Sequence, residues 1–197
     1  MKKSLGSRTL VYPTPAWVVG TYDEEAHPNG AMVAWGGICC SRPPCVAVSL
    51  RKATFTHRSL LARRAFTVNV PSADQAREAD FFGMVSGREV DKFAATGLTA
   101  VRSSLVDAPY IAEFALILEC RLAHVFELGL HTQFVGEIVD VKADETVLGD
   151  DGLPDVEKVN AFVFAPEKNS YFRLGDCLGP AFKIGEFFSR PPKAVPD

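Results

Sequence analysis

The stretch Cys45-Val-Ala-Val-Ser-Leu-Arg-Lys-Ala-Thr-Phe-Thr-His-Arg-Ser-Leu-Leu61 decides the fold. Val46, Val48 and Leu50 alternate with small or polar residues, which is the period of a half-buried strand. Past Thr54, Phe55 and Thr56 the pattern becomes compatible with a helix, so a strand feeds directly into a helix start. First helical turns usually carry Asp or Glu, because their free N–H groups and the helix dipole favour negative charge. Here Arg51, Lys52, His57 and Arg58 surround the two threonines. No carboxylate side chain occurs between Glu25 and Asp74, whereas Arg42, Arg51, Lys52, Arg58, Arg63 and Arg64 all fall in that interval. Free N–H donors, two hydroxyls and an Arg-Lys pair suit a phosphate monoester. The competing reading is a helix capped by Thr54 or Thr56, with the cations in solvent.

Upstream, Ala16 to Tyr22 reads as a strand, Asp23 to Gly30 as a turn, and Ala31 to Trp35 as the antiparallel partner. Gly36-Gly37 and Pro43-Pro44 then break the chain. Downstream, Phe66 to Val70 alternates as a strand stopped by Pro71. Ser72 to Met84 and Val90 to Thr96 read as short helices, the second ended by Gly97. Strands return at Leu98 to Val101 and in a long pair, Ala112 to Phe126 and Thr132 to Val141, joined by Glu127 to His131. Ala161 to Phe164 and Tyr171 to Leu174 are shorter candidates. Strands of this length bend through a barrel or hairpin more readily than they lie flat. The expectation is a mainly β, antiparallel closed barrel with a few short helices, in one domain, with an extended Pro-rich tail from about 189 to 197.

The 197 residues are 47% hydrophobic and 23% charged, enough for one sizeable core. A net charge of -3 argues against nucleic acid or an anionic membrane as the main partner, while leaving room for a local basic pocket. No apolar run approaches the roughly 18 residues of a membrane span, and no apolar stretch follows the basic start, so no signal peptide is expected. A cytoplasmic location is the corresponding expectation.

Cys39, Cys40, Cys45, Cys120 and Cys177 are odd in number and contain no C-x-x-C, which disfavours a disulfide framework. His27, His57, His124 and His131 show no ligand spacing, so no metal site is expected. The adjacent Cys39-Cys40 pair is a weak redox candidate, with no basic residue nearer than Arg42. Neither a dinucleotide-binding glycine fingerprint nor a P-loop occurs. Gly175-Asp-Cys-Leu-Gly179 matches a nucleophile elbow with Cys in the Ser position, but no His follows it, and its glycines read as turn residues.

Taken together, Asn29 to Trp35, Val48 to Thr56, Phe66 to Val70, Glu89 to Leu98 and Leu130 to Val139 resemble, in order, the flavin reductase-like family of FMN-binding split barrels, and most closely its flavoredoxin branch. The resemblance implies a homodimer of six-stranded antiparallel Greek-key barrels with FMN near the subunit interface. It matches Arg51, Thr54 and Thr56 to the phosphate-binding segment, with Ser49, Leu50 and Lys52 beside them. Asn29 and the strand through Ala31, Met32, Val33, Ala34 and Trp35 match the segment along the isoalloxazine, where backbone groups serve the ring edge. Trp35 is equally readable as core.

Lys92 matches a cation near the ring's N1/O2 end, with a solvated helix lysine as the rival reading. His131 matches the family's histidine at that strand start, and Phe164 is a candidate for packing on the ring. The implied function is an electron carrier working through bound FMN, supplied by a redox protein. An NAD(P)H-dependent flavin reductase is the alternative within the class. A barrel binding haem or another anionic ligand, with His57, His124 or His131 as axial ligand, is the alternative outside it.

Overall fold

A computed structural model describes residues 1–189; the expected Pro-rich tail, residues 190–197, lies outside them. The strands in chain order are β1 (Thr14–Pro15), β2 (Trp17–Tyr22), β3 (Pro28–Val33), β4 (Gly36–Ser41), β5 (Pro44–Arg51), β6 (Ala65–Val70), β7 (Ala100–Arg102), β8 (Pro109–Ile111), β9 (Leu116–Leu128), β10 (His131–Ala143), β11 (Phe162–Ala165) and β12 (Ser170–Arg173). The helices are α1 (Phe55–Arg63), α2 (Ala76–Met84), α3 (Lys92–Thr96) and α4 (Val156–Val159).

The main sheet runs β3-β2-β6-β9-β10-β5-β4, and all its pairings are antiparallel. Strands β5 and β6, consecutive in the chain, lie on either side of the β9–β10 hairpin in Greek-key fashion. The sheet closes because one segment serves both margins: β3 pairs with β2 at one edge, and two residues later β4 pairs with β5 at the other. At that bend Ser49 donates its N–H to the Trp35 carbonyl at 2.8 Å. The main sheet has seven strands, one more than the six the resemblance implied.

Two apolar layers explain the order. Inside the barrel, Val19, Val46, Val48, Leu50, Leu60, Phe66, Val68, Leu122 and Phe134 pack together. Outside it, Val18, Ile111, Phe114, Ile117 and Phe162 meet Ala79 and Phe82 of α2 and Phe93 of α3. Neighbouring residues on β2, Val18 and Val19, thus serve opposite faces, as strand geometry demands. Every residue of β6 is buried, and its two polar side chains are satisfied. Thr67 donates to the Pro109 carbonyl at 2.6 Å, and Asn69 bridges Val18 O and the Ile111 N–H at 2.9 and 2.8 Å.

Three local expectations shift. The turn after β2 is shorter, because the Asp23 carboxylate accepts the N–H groups of Glu25 and His27 at 2.9 and 2.8 Å. Pro28, Asn29 and Gly30 therefore belong to β3, where Pro28 opens an edge strand, a position that needs no N–H. Gly36-Gly37, read as a break, starts β4 instead. A Cβ on Gly36 would come within 3.0 Å of the Ala47 carbonyl and the Trp17 ring, so close packing explains that glycine. The strand expected at Leu98 to Val101 is β7, but its partner β8, with which it forms a separate pair over β6, does not show in the periodicity.

Candidate functional site

Strand β5 delivers Arg51 to the mouth of α1, and three residues later Thr54 stands at the helix N-cap, with φ -72° and ψ 143°. The Thr54 hydroxyl donates to the Arg51 carbonyl at 2.8 Å and so leaves the helix N–H groups uncapped. No acidic side chain occupies the first turn. The open end predicted from the charge pattern is therefore present. The far end is tied down: Arg63 Nε donates to the Asp23 carbonyl at 3.0 Å and its guanidinium pairs with Asp107 at 3.2 Å.

Beside this mouth, Thr56 is 1% exposed and accepts a hydrogen bond from Asn29 Nδ2 at 2.9 Å. The Asn29 Oδ1 is buried with no partner among the described residues. Gly87 presses its backbone against that oxygen, and a Cβ there would overlap it. Thr56 can therefore direct its own O–H outward as a donor while its lone pair is occupied.

These groups open onto a cleft of about 340 Å³ bounded by Ala31, Met32, Leu50, Arg51, Thr54, Thr56 and Lys92, together with Phe55, Phe82 and the 83–87 loop. Lys92 is 4% exposed. Its ammonium donates to the Gly30 and Phe82 carbonyls at 2.7 and 2.9 Å and lies 5.7 Å from the Phe82 ring centre. No carboxylate pairs with it among the described residues, and burial pulls its pKa down to about 8. It is not the solvated helix lysine of the rival reading.

Two chambers continue the cleft. One, about 220 Å³, shares Met32, Gly83 and Met84 and adds Val33, Ala34 and Phe164, along with Asp80 and Tyr171. The other, about 280 Å³, shares Phe55, Gly87 and Lys92 and reaches Asn29 and Arg88. Of the residues singled out from the sequence, eleven line this system. Ser49, Lys52, Trp35 and His131 do not. The Ser49 N–H and the Trp35 carbonyl bond each other at the barrel seam. Lys52 pairs with Glu127 on the surface. His131 stands opposite Arg51 in the β10–β5 register, half-buried, one strand away from the cleft.

Several contributors escape sequence reasoning. Phe55 carries two guanidinium groups, Arg58 at 5.6 Å and Arg88 at 5.7 Å. Arg88 sits in a Ser-Gly-Arg-Glu run that signals only a turn. Tyr171 donates to Asp80 at 2.6 Å and approaches the Met32 sulfur at 3.4 Å; burial, helped by the Asp80 charge, holds its phenol above the usual range. Asp23, Glu25 and His27 gather their ligand atoms within 4.8 Å of one another on an exposed turn, but the Asp23 carboxylate is already engaged by backbone N–H groups.

An uncapped helix mouth, a buried acceptor without a donor and a buried cation without an anion line one continuous cleft. A ligand matched to these groups brings an anion for the helix mouth, a hydroxyl or N–H donor for Asn29 Oδ1 and an acceptor atom for the Lys92 ammonium. Its volume lies at the lower end of the roughly 300–1,000 Å³ range of small-molecule sites.

The comparisons fit this arrangement. A family model described as flavin reductase like domain matches residues 8–158. Flavoredoxin of Desulfovibrio vulgaris (Miyazaki F) is 55% identical, with a TM-score of 0.90 over 94% of this chain and 100% of that one. A high molecular weight rubredoxin from Moorella thermoacetica is 36% identical over 106 residues, 51% of this chain and 43% of the relative. The reductase component of 4-nitrophenol 4-monooxygenase/4-nitrocatechol 2-monooxygenase from Rhodococcus opacus is 33% identical over 123 residues, 62% of this chain and 63% of the relative. The chain spans less than two thirds of the length of both curated relatives.

Proposed function

Because the chain belongs to the flavin reductase like domain family, we propose that it binds FMN in this cleft and works as a flavoredoxin-like electron carrier. The observation that carries the reading is the acid-free, uncapped N-terminus of α1 beside buried Thr56. Bound FMN would supply the reversible electron and hydride chemistry, which is the cofactor's own.

The chain's part is to bind and orient. Arg51, the first N–H groups of α1 and the Thr56 hydroxyl would take the phosphate, since charge-assisted bonds at a helix mouth favour a dianion. Asn29 Oδ1 would accept from the ribityl chain. Lys92, held by two carbonyls with one N–H to spare, would place positive charge at the ring's pyrimidine edge. Met32, Ala34 and Phe164 would cover the ring and exclude water. Trp35 and His131 lie outside the cleft of this single chain, and a role for them belongs to the homodimer implied by the resemblance, which we carry forward as part of the proposal.

A second reading, an NAD(P)H-dependent flavin reductase, is favoured by the similarity to the Rhodococcus reductase component. The haem alternative loses support from geometry. His57 Nε2 is bound to Thr132 at 2.8 Å with its ring edge against Phe134, and among the described residues no histidine lines the 340 Å³ cleft.

The spectrum of the purified protein tests the class: flavin bands, or flavin bands after reconstitution with FMN, are expected, and their absence would overturn it. Stopped-flow mixing then separates the two flavin readings. Bleaching by a reduced iron–sulfur protein but not by NADH or NADPH marks the carrier, and fast bleaching by a nicotinamide marks the reductase.

A further inference from the structure

Away from the cleft, the β4–β5 hairpin brings three thiols together. Its register pairs Ser41 with Pro44 and Cys40 with Cys45, then skips to Ile38 opposite Val46. An extra residue in one strand sets two residues against one on the partner, so Cys39 and Cys40 both face Cys45. Directly opposed strand residues have Cα atoms roughly 4.5–5.5 Å apart, inside the window of about 4.4–6.8 Å that a disulfide spans. Cys40 is the direct register partner, and Cys39 is the extra residue. All three cysteines are free, with Cys39 and Cys40 exposed and Cys45 6% exposed.

We propose that Cys40 and Cys45 form a dithiol–disulfide site, closed by exchange with a small-molecule disulfide of the glutathione class. Cys40 is the entry point because it is exposed, whereas burial and the neighbouring thiols push the Cys45 thiol up. The Cys40 thiolate attacks one sulfur of the oxidant, forming a mixed disulfide and releasing one thiolate. Cys45 then loses its proton to solvent, attacks the Cys40 sulfur and releases the second thiolate. The protein gives up two electrons and two protons, and one disulfide becomes two thiols. Cys120 is fully buried in the core, out of reach of such an oxidant.

Full-length protein, reduced and desalted, is incubated with oxidised glutathione, then denatured and alkylated for mass spectrometry. The expected result is that the intact mass before alkylation falls by two hydrogens, with no glutathione retained, and that two of the five cysteines then fail to label. Cys39→Ser should close as well as the parent. Cys40→Ser should neither close nor lose label at Cys45, and Cys45→Ala, which keeps a small apolar side chain at that site, should stop at a stable glutathione adduct on Cys40. Three outcomes would each overturn the assignment: a closed bond that survives in Cys45→Ala, a stable glutathione adduct on the parent protein, and a covalent dimer on a non-reducing gel. The readout does not depend on whether flavin is bound, so its failure is distinct from failure of the FMN reading.

Discussion

Lys92 and Thr56 set what single residues contribute. Burial of the Lys92 ammonium, with no carboxylate beside it among the described residues, pulls its pKa on folding from 10.5 to about 8. Between those values the unfolded chain holds the extra proton, and stability therefore rises with pH across that window. The cost below about pH 8 is on the order of 3 kcal/mol at 1.36 kcal/mol per unit. Lys92→Met should remove this part of the rise between about pH 8 and 10.5. Melting temperatures of both proteins across that range check it, because other titrating groups cancel in the difference. The same variant should bind flavin more weakly. Thr56→Ala removes the hydroxyl proposed to meet the phosphate and leaves the Asn29 amide without its partner, a loss of about 1–3 kcal/mol. FMN affinity should fall roughly 10- to 100-fold, and riboflavin affinity much less, in parallel fluorescence titrations. The cations and hydroxyls of this mouth are legible in the sequence because they are neighbours along the chain. Tyr171 with Asp80, and Gly87 against Asn29, are not, because each pair meets only through the fold.

The element that matters most is α1. Its Thr54 faces back toward Arg51 and contributes nothing to the cap, which leaves stability on the table in the apo-protein. Thr54→Asp supplies both an N-cap and a negative charge and should stabilise the apo-protein by about 0.5–2 kcal/mol. The same carboxylate would compete with the phosphate, so FMN should bind at least tenfold more weakly while riboflavin is little affected. Thermal unfolding and paired titrations check both halves, and equal loss for the two ligands would place the phosphate elsewhere. The strand-to-helix step was readable because β5 alternates cleanly up to Arg51. Strand β4 was not: Gly36-Gly37 is a breaker signal that pairing with Ala47 and Val48 overrides, whereas Pro43-Pro44 does mark the turn into β5. Strand β3 was misplaced by three residues because the Asp23 turn ends earlier than Asn29-Gly30 suggests.

At the scale of the molecule, the mainly β class and its antiparallel barrel follow from strand lengths and turn spacing, and the long β9–β10 hairpin is nearly where the pattern puts it. The position of the cleft does not follow from periodicity. It arises where α1, the 83–87 loop and β3 converge; the resemblance gathers β3 and the start of α1 in advance, but not that loop. A ligand that binds the folded chain alone stabilises it by mass action, by about 2.7 kcal/mol at 100 times Kd. Saturating FMN should therefore raise the melting temperature by roughly 5–11 °C, at about 2–4 °C per kcal/mol for a chain of this size, and riboflavin by less; no shift with FMN would contradict the proposal.

The segment from Pro28 to Ser41 belongs to both margins of the main sheet. It acts as a clasp on a bracelet. A protease cut between Val33 and Gly36 would free both margins at once and unfasten the ring, whereas a cut at Gly129, in the tip of the β9–β10 hairpin, would leave it fastened by every remaining pair of strands.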